Sequence, residues 1–502
     1  MTDIIDDLTW RGLIAVSTDL GDLRKALDVG QITLYGGFDP TAQSLHIGNL
    51  VLLLTMRRLQ LAGHRPIGLV GGATGLIGDP SGKSSERVLN PPEVVAGWVS
   101  HIGDQVSRFL DFEPGPAAAL MVSNLDWTEE LSALAFLRDI GKHFPVAQML
   151  SRETVRARLE AGGISYTEFS YQILQANDFL ELHKRYGCTL QVGGSDQWGN
   201  LVSGVDLIRR VTGSAVHALA TPLITRPDGT KYGKSESDAI WLSPELMSPY
   251  AFHQYWLNRS DDEVTALLKV FTFRTRSEID DLERETADHP ASRSAQRVLA
   301  DDLTTLVHGP DETARATAAG RALFGGGELR ELDERTLAAA LAEVPHATVP
   351  AVGAVGGGVV VGGSVVPGGG GAGGGGGAVG GGGAVGGGAV GGGAVGSGAG
   401  GGGAGGGGAG GAGTGAIGGA SAAEVSLGGR ELPSVADLMA ACGIVASKSA
   451  ARRAIAEGGA YLNNAKVTNA DATPSEADLL HGKYLVLRRG KRTVGGIEVV
   501  RA

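Results

Sequence analysis

Cysteine is almost missing from this chain of 502 residues: Cys188 and Cys442 are the only two. Two distant thiols make neither a disulfide framework nor a zinc-binding spacing, and they suit a reducing compartment. Long apolar runs are missing as well, since no ordinary stretch reaches the roughly 20 apolar residues of a membrane span. The opening residues MTDIIDDLTWRGL are acidic, with neither an apolar signal core nor an Arg-rich transit character, so a soluble cytosolic protein is expected. Net positive charge is lacking too. The formal value of −11 argues against a protein that coats nucleic acid with its whole surface, but it leaves room for a local basic patch. Between His346 and Glu424 there is no charge of either sign, and residues 352–419 are almost entirely Gly with Ala, Val and a few Ser or Thr. Glycine loses the most entropy on ordering and buries little side chain, so the expectation there is a flexible linker.

The rest of the chain has the patterning of packed structure. ITLYGGF (32–38), PIGLVGG (66–72), ALMVSN (119–124) and TLQVGG (189–194) read as buried strands. Between them lie helical patterns such as Ile47–Ala62, stopped by Gly63, and Tyr166–Tyr186, stopped by Gly187. Alternating strands and helices predict an α/β catalytic domain over residues 1–243. It would be a Rossmann-like, doubly wound parallel sheet whose ligand binds at the carboxyl ends of the strands, where the strand order reverses. Residues 244–345 carry helical periodicity and predict an α-helical domain. Residues 346–429 are assigned to the linker. Residues 430–502 predict a small α+β domain of two helices followed by strands. From Arg430 onward there are eleven Lys and Arg against seven Asp and Glu, so this segment carries +4 and the remainder −15. Such asymmetry suits a tail that meets an acidic polymer.

Six strings carry candidate chemistry. In LYGGFDPTAQSLHIGN (34–49), Gly36 and Gly37 would let a ligand approach a strand end. His46 and Asn49 share the first turn of a helix whose free N–H groups suit phosphate. In KYGKS (231–235), Lys231 and Lys234 stand three apart on a glycine-bearing loop and could close over a polyphosphate, although such a loop alone is more often a solvated turn. GGATGLIGDPSGKS (71–84) is not a P-loop, because Gly78 and Gly82 are separated by three residues where that motif needs four. In YQILQAND (171–178), Tyr171, Gln175 and Asp178 form one helical stripe, usually a solvent face. In QVGGSDQWGN (191–200), Asp196 follows a strand end, where a carboxylate suits ribose hydroxyls. In SKSAARRAIAEGGAYLNN (447–464), Lys448, Arg452 and Arg453 fall on or near one helical face.

Taken together, these strings resemble the class I aminoacyl-tRNA synthetases, and the tyrosyl branch among them, over roughly residues 5–345 and 430–500. His46–Asn49 is similar to the HIGH signature with Asn in its last position. Lys231–Ser235 is similar to the KMSKS loop with Tyr-Gly replacing Met-Ser. Gly36 stands where many members have Cys, which implies a modest loss of ribose contact. The glycine tract lies outside the resemblance.

The resemblance implies tyrosine–tRNA ligase activity: ATP and tyrosine give tyrosyl-adenylate and pyrophosphate, and the tyrosine then passes to tRNA(Tyr). It implies that Tyr35 and Asp178 take the phenol hydroxyl, that Tyr171, Gln175 and Asp79 take the ammonium group, and that Gln191 and Gln197 serve the tyrosine side. ATP would be held by Gly37, Asp39, Thr41, His46, Asn49, Lys83, Gly194, Asp196, Lys231, Lys234 and Ser235. Of these, Thr41, His46, Lys231 and Lys234 would be catalytic. Mg2+ would accompany ATP, with no tightly bound cofactor. The tail resembles an RNA-binding domain shared with a ribosomal small-subunit protein, so Lys448, Arg452 and Arg453 would touch tRNA. Bacterial members are homodimers, which the resemblance implies here. A tryptophanyl enzyme, a catalytically silent RNA-binding protein and a small-molecule nucleotidyltransferase stay open as alternatives.

Overall fold

The computed structural model describes residues 3–79, 90–225, 239–350, 360–362 and 432–500. Lys83, Lys231, Lys234, Ser235 and nearly all of the glycine tract therefore lie outside the described residues. The chain divides into two compact units, residues 1–340 and 341–502.

The first unit is built on a six-stranded sheet. In chain order its strands are β1 (Val16–Ser17), β2 (Thr33–Phe38), β3 (Arg65–Val70), β4 (Leu120–Ser123), β5 (Cys188–Gly194) and β6 (His217–Thr221). Across the sheet they run β1-β6-β5-β2-β3-β4. All neighbouring pairs are parallel except the short β1, which pairs antiparallel to β6 at the edge. The strand order reverses between β2 and β5, which is where an open α/β sheet opens its ligand crevice.

The helix α1 (Ile47–Leu61) follows β2. Its apolar residues do not form a stripe; they run nearly all round, as befits a helix enclosed on several sides. A second helix, α2 (Pro92–Ser107), brings in buried Gln105, whose Oε1 accepts from Leu45 N at 2.7 Å and steadies the β2–α1 connection. The helix α3 (Tyr166–Tyr186) runs from a Ser165 N-cap to Gly187 in the left-handed region, as the sequence pattern predicts. It packs beside α4 (Trp198–Thr212). Gly204 permits the close approach: a Cβ there would lie 2.9 Å from the Phe179 ring.

The helical part contains α5 (Pro249–Leu257), α6 (Asp261–Phe271), α7 (Arg276–Asp288), α8 (Ser294–His308) and α9 (Pro310–Leu323). Two buried arginines, Arg58 on α1 and Arg11 at the end of the N-terminal helix Ile4–Trp10, tie it to the α/β part. Arg58 Nη2 donates to Val270 O at 3.0 Å and Thr272 O at 2.6 Å, and Arg11 Nη1 donates to Lys269 O at 2.9 Å and Thr272 O at 3.1 Å. Both cations sit on carbonyls at the α6 C-terminus, where the helix dipole is negative. Burial, with Arg11's charge added, pulls the Arg58 pKa down to about 9.

The second unit holds a sheet ordered β10-β9-β11-β12-β7-β8. Its strands are β7 (His346–Pro350), β8 (Val360–Gly362), β9 (Ala460–Leu462), β10 (Ala465–Lys466), β11 (Tyr484–Arg489) and β12 (Thr493–Val500), and its helices are α10 (Val435–Ala441) and α11 (Lys448–Ala456). One expectation is corrected here. Residues 346–350, assigned to the linker, form a strand parallel to β12, with Ala347 opposite Ile497 and Val349 opposite Val499. Ala347 and Val349 are buried with Leu438, Leu485 and Ile497 in one apolar cluster. The physical reason is period-2 burial in HATVP, a signal only two buried residues long.

Candidate active site

The carboxyl ends of β2 and β5 border a cavity of about 300 Å³. Fourteen residues expected from the sequence line it: Tyr35, Gly37, Asp39, Thr41, His46, Asn49, Asp79, Tyr171, Gln175, Asp178, Gln191, Gly194, Asp196 and Gln197. They arrive from five places: β2 and its following turn, the start of α1, the segment after β3 that carries Asp79, the inner face of α3, and the end of β5 with the turn after it.

At the inner end, Asp178 is buried, and both carboxylate oxygens are held. Asn124 Nδ2 donates to Oδ2 at 3.0 Å, and Trp127 Nε1 donates to Oδ1 at 2.9 Å. Burial pushes its pKa up to about 7 against the pull of those two donors, and the charge of Asp39 adds to the rise. Neither Asn124 nor Trp127 was singled out from the sequence; they lie more than 50 residues away from Asp178, and no local pattern marks them. Tyr35 lies across from Phe179, with ring centroids 5.3 Å apart, and its phenol pKa is raised, first by burial and then by Asp178. Among the described residues Tyr35 Oη, Gln175 Oε1 and Gln191 Oε1 are buried with no hydrogen-bond partner. A buried polar atom left unpaired is costly, so three on residues that line the cavity suit a polar ligand.

Midway, Tyr171 Oη donates to Asp39 Oδ2 at 2.6 Å. Asp39, expected on the nucleotide side, thus stands against an expected ammonium ligand. Gln197 Nε2 donates to Asp79 Oδ2 and is itself steadied by Asn200 Nδ2 at 3.0 Å. At the outer end, His46 caps α1. Its Nδ1 accepts from Gly48 N at 3.0 Å, while Asn49 Oδ1 accepts from His46 N at 3.1 Å. Asn49 therefore spends its carbonyl on the helix cap, and its amide N–H groups are what it can offer a phosphate. Burial lowers the His46 pKa, which keeps the ring neutral. A bridge from His46 to Trp241, with Ile47 N donating to Ile240 O at 3.0 Å, ties the segment after Lys231–Ser235 to the signature helix. Pro222, Leu223 and Ile224, just before that segment, line the cavity.

Gly36 does not line the cavity. A Cβ at this position would meet Met56 Sδ at 2.5 Å, so the residue faces α1.

In the second unit, Lys448 Nζ is ion-paired with Asp437 at 2.6 Å and Arg452 with Asp471 at 2.7 Å. Arg453 is exposed and makes no ion pair among the described residues. Exposed Arg489, Lys491 and Arg492 at the β11–β12 turn add positive charge that was not singled out.

The family model for class I tRNA synthetases (W and Y) matches residues 28–325. The chain belongs to that family. The model for the tyrosine–tRNA ligase SYY-like C-terminal domain matches residues 422–494. The tyrosine–tRNA ligase of Streptomyces avermitilis is 52% identical over 99% of both chains, and that of Thermobifida fusca is 51% identical over 99% of both. Among solved structures, a C-terminally truncated mitochondrial tyrosyl-tRNA synthetase from Aspergillus nidulans has a TM-score of 0.60 and 29% identity, covering 64% of this chain and 94% of that one. Its counterpart from Coccidioides posadasii has a TM-score of 0.56 and 29% identity, covering 63% and 91%. Family membership accounts for the Rossmann-like parallel sheet.

Proposed function

We propose that this chain activates tyrosine with ATP and transfers it to tRNA(Tyr). The observation that carries the reading is the inner end of the cavity: a fixed, buried Asp178 beside an unpartnered Tyr35 hydroxyl. That pair accepts from and donates to one phenol hydroxyl. Phenylalanine would leave both unmatched, and a family member that takes tryptophan has no use for them.

The tyrosine carboxylate attacks the α-phosphorus of ATP, the bond to the bridging oxygen breaks, and pyrophosphate leaves. The substrate supplies the nucleophile, so the protein aligns the reactants and stabilises charge building on phosphate. Asp39, Asp79, Tyr171 and Gln175 hold the ammonium group; Gln191 and Gln197 steady the amino-acid side. Asp196, Gly194 and Gly37 serve the nucleoside. Thr41, Asn49 and the His46 Nε2–H meet the phosphates from the α1 end, where the helix N-terminus favours anions. Lys231, Lys234, Ser235 and Lys83 also serve the ATP in this reading. Mg2+ accompanies ATP in this reading, bound chiefly by phosphate and water. A terminal ribose hydroxyl of tRNA then attacks the adenylate carbonyl, and AMP leaves.

Lys448, Arg452 and Arg453 give the second unit its RNA contacts. A homodimer is part of the same reading. Leu134, Leu137, Val146, Leu150, Leu159 and Tyr166 are exposed within one stretch of chain, as for a surface that another copy covers. The cytoplasm, where tRNA is charged, is the expected location, and both buried cysteines are free thiols.

Exchange of labelled pyrophosphate into ATP, run with single amino acids, tests the reading. Tyrosine alone should support it. Exchange with tryptophan and not tyrosine would overturn the assignment, and adding tRNA(Tyr) separates charging from activation.

A further inference from the structure

A line of hydrogen bonds runs through the protein alongside the amino-acid site. Asn124 Nδ2 donates to Asp178 Oδ2 at 3.0 Å and to Thr74 Oγ1 at 2.9 Å. Thr74 Oγ1 donates to Asp39 Oδ1 at 2.6 Å, and Tyr171 Oη donates to Asp39 Oδ2 at 2.6 Å. The line thus starts at the carboxylate proposed for the phenol and ends at the groups proposed for the ammonium.

Its direction is fixed. Asn124 is fully buried and its Oδ1 takes the Ala73 N–H at 2.7 Å, so both amide hydrogens must point outward, one to each branch. The Thr74 oxygen accepts one of them, which leaves its single hydrogen for Asp39. The backbone makes room for the line. A Cβ at Gly71 would lie 2.0 Å from Asp39 Oδ1 and 2.4 Å from Thr74 Oγ1, so glycine at that strand end is what lets the two meet.

We infer that Thr74 is a positioning residue that couples recognition of the phenol hydroxyl at Asp178 to recognition of the ammonium group at Asp39. Moving either carboxylate tugs the other through Thr74 and Asn124, so a ligand that satisfies both ends gains more than one that satisfies each alone. Electrostatics act in the same sense. Asp39 opposes ionisation of Asp178, and an ammonium group arriving beside Asp39 relieves that opposition.

This inference rests on the tyrosine reading, and the test separates the two. Thr74→Val keeps the side-chain shape and removes the hydroxyl; Thr74→Ser restores it. For each variant, kcat/KM in pyrophosphate exchange is measured with tyrosine and with phenylalanine. Inhibition by 3-(4-hydroxyphenyl)propanoate, which lacks the ammonium group, is measured against tyrosine binding. Thr74→Val should shrink both the tyrosine-over-phenylalanine ratio and the tyrosine-over-propanoate ratio by about tenfold, the size of coupling expected within one hydrogen-bond network. Thr74→Ser should return both ratios close to the unmutated protein's. A merely structural role would weaken all ligands by one factor and leave the ratios unchanged, and that result, or a change in only one ratio, overturns the coupling. Failure of the unmutated protein to exchange with tyrosine would instead bring down the functional reading itself.

Discussion

The imidazole Nδ1 of His46 accepts a hydrogen bond from the backbone N–H of Gly48, two residues on, at 3.0 Å. An accepting Nδ1 puts the ring proton on Nε2, so one helix cap both starts α1 and leaves an N–H donor for the cavity. Gly48 is part of the device, because a Cβ there would lie 2.8 Å from the ring's Cε1.

His46→Ala should slow adenylate formation by about 10²-fold, the scale of losing one donor to a charge that grows in the transition state. Tyrosine affinity should change little, since the proposed reading gives this ring to the phosphates and not to the amino acid. Rapid-quench adenylate formation beside equilibrium dialysis of tyrosine makes the comparison; equal losses in both would count against the role. Gly48→Ala should follow the same pattern by displacing the ring.

The raised pKa of Asp178 sets a pH dependence. The carboxyl is pushed up to about 7, so above that pH it is ionised and accepts a hydrogen bond from the phenol O–H of tyrosine. As pH falls through about 7 the group takes up a proton of its own, and the advantage of tyrosine over phenylalanine should shrink. The ratio of kcat/KM for the two substrates cancels titration of His46, which serves both. A ratio that stays flat from pH 6 to 8.5 would remove Asp178 from the hydroxyl contact.

Local signals made part of this site legible. Glycines at a strand end, a histidine at the next helix start and a polar stripe on α3 each sit within a few residues, and the fold carries them to one cavity because the sheet is parallel. Asn124, Trp127 and Thr74 were not legible, because their role exists only once β3, β4 and α3 are side by side. HALAT at β6 escaped notice because small alanines give a weak strand pattern, and β7 because a five-residue strand borders the glycine tract.

The tail's cations differ in what surrounds them. Lys448 and Arg452 are held by Asp437 and Asp471, whereas Arg453 has no ion-pair partner among the described residues. Arg453→Ala should therefore weaken tRNA binding more than Arg452→Ala. It should also lower the slope of log affinity against log salt by about one phosphate contact. Tyrosine-dependent pyrophosphate exchange should not change. Filter binding over a salt series decides it, and an unaltered slope would take Arg453 out of the RNA contact.

Strand β7 brings distant parts of the chain together in the second unit, since Val349 lies more than 80 residues before α10 yet belongs to the same apolar cluster. Val349→Asp would bury a carboxylate opposite Val499 with nothing apolar lost elsewhere to offset it. A buried unpaired charge of this kind should cost on the order of 3 kcal/mol or more, and Val349→Ala roughly 2 kcal/mol. Amide exchange reads the effect directly: the N–H groups of residues 496, 498 and 500, the alternating set that faces β7 as Gly496 N does toward Pro345 O, should lose protection in Val349→Asp, because β12 loses the neighbour it pairs with on that side. If those amides stayed protected and the melting curve of the variant were unshifted, residues 346–350 would be a passive lead-in to the tract and not a strand of the unit's sheet.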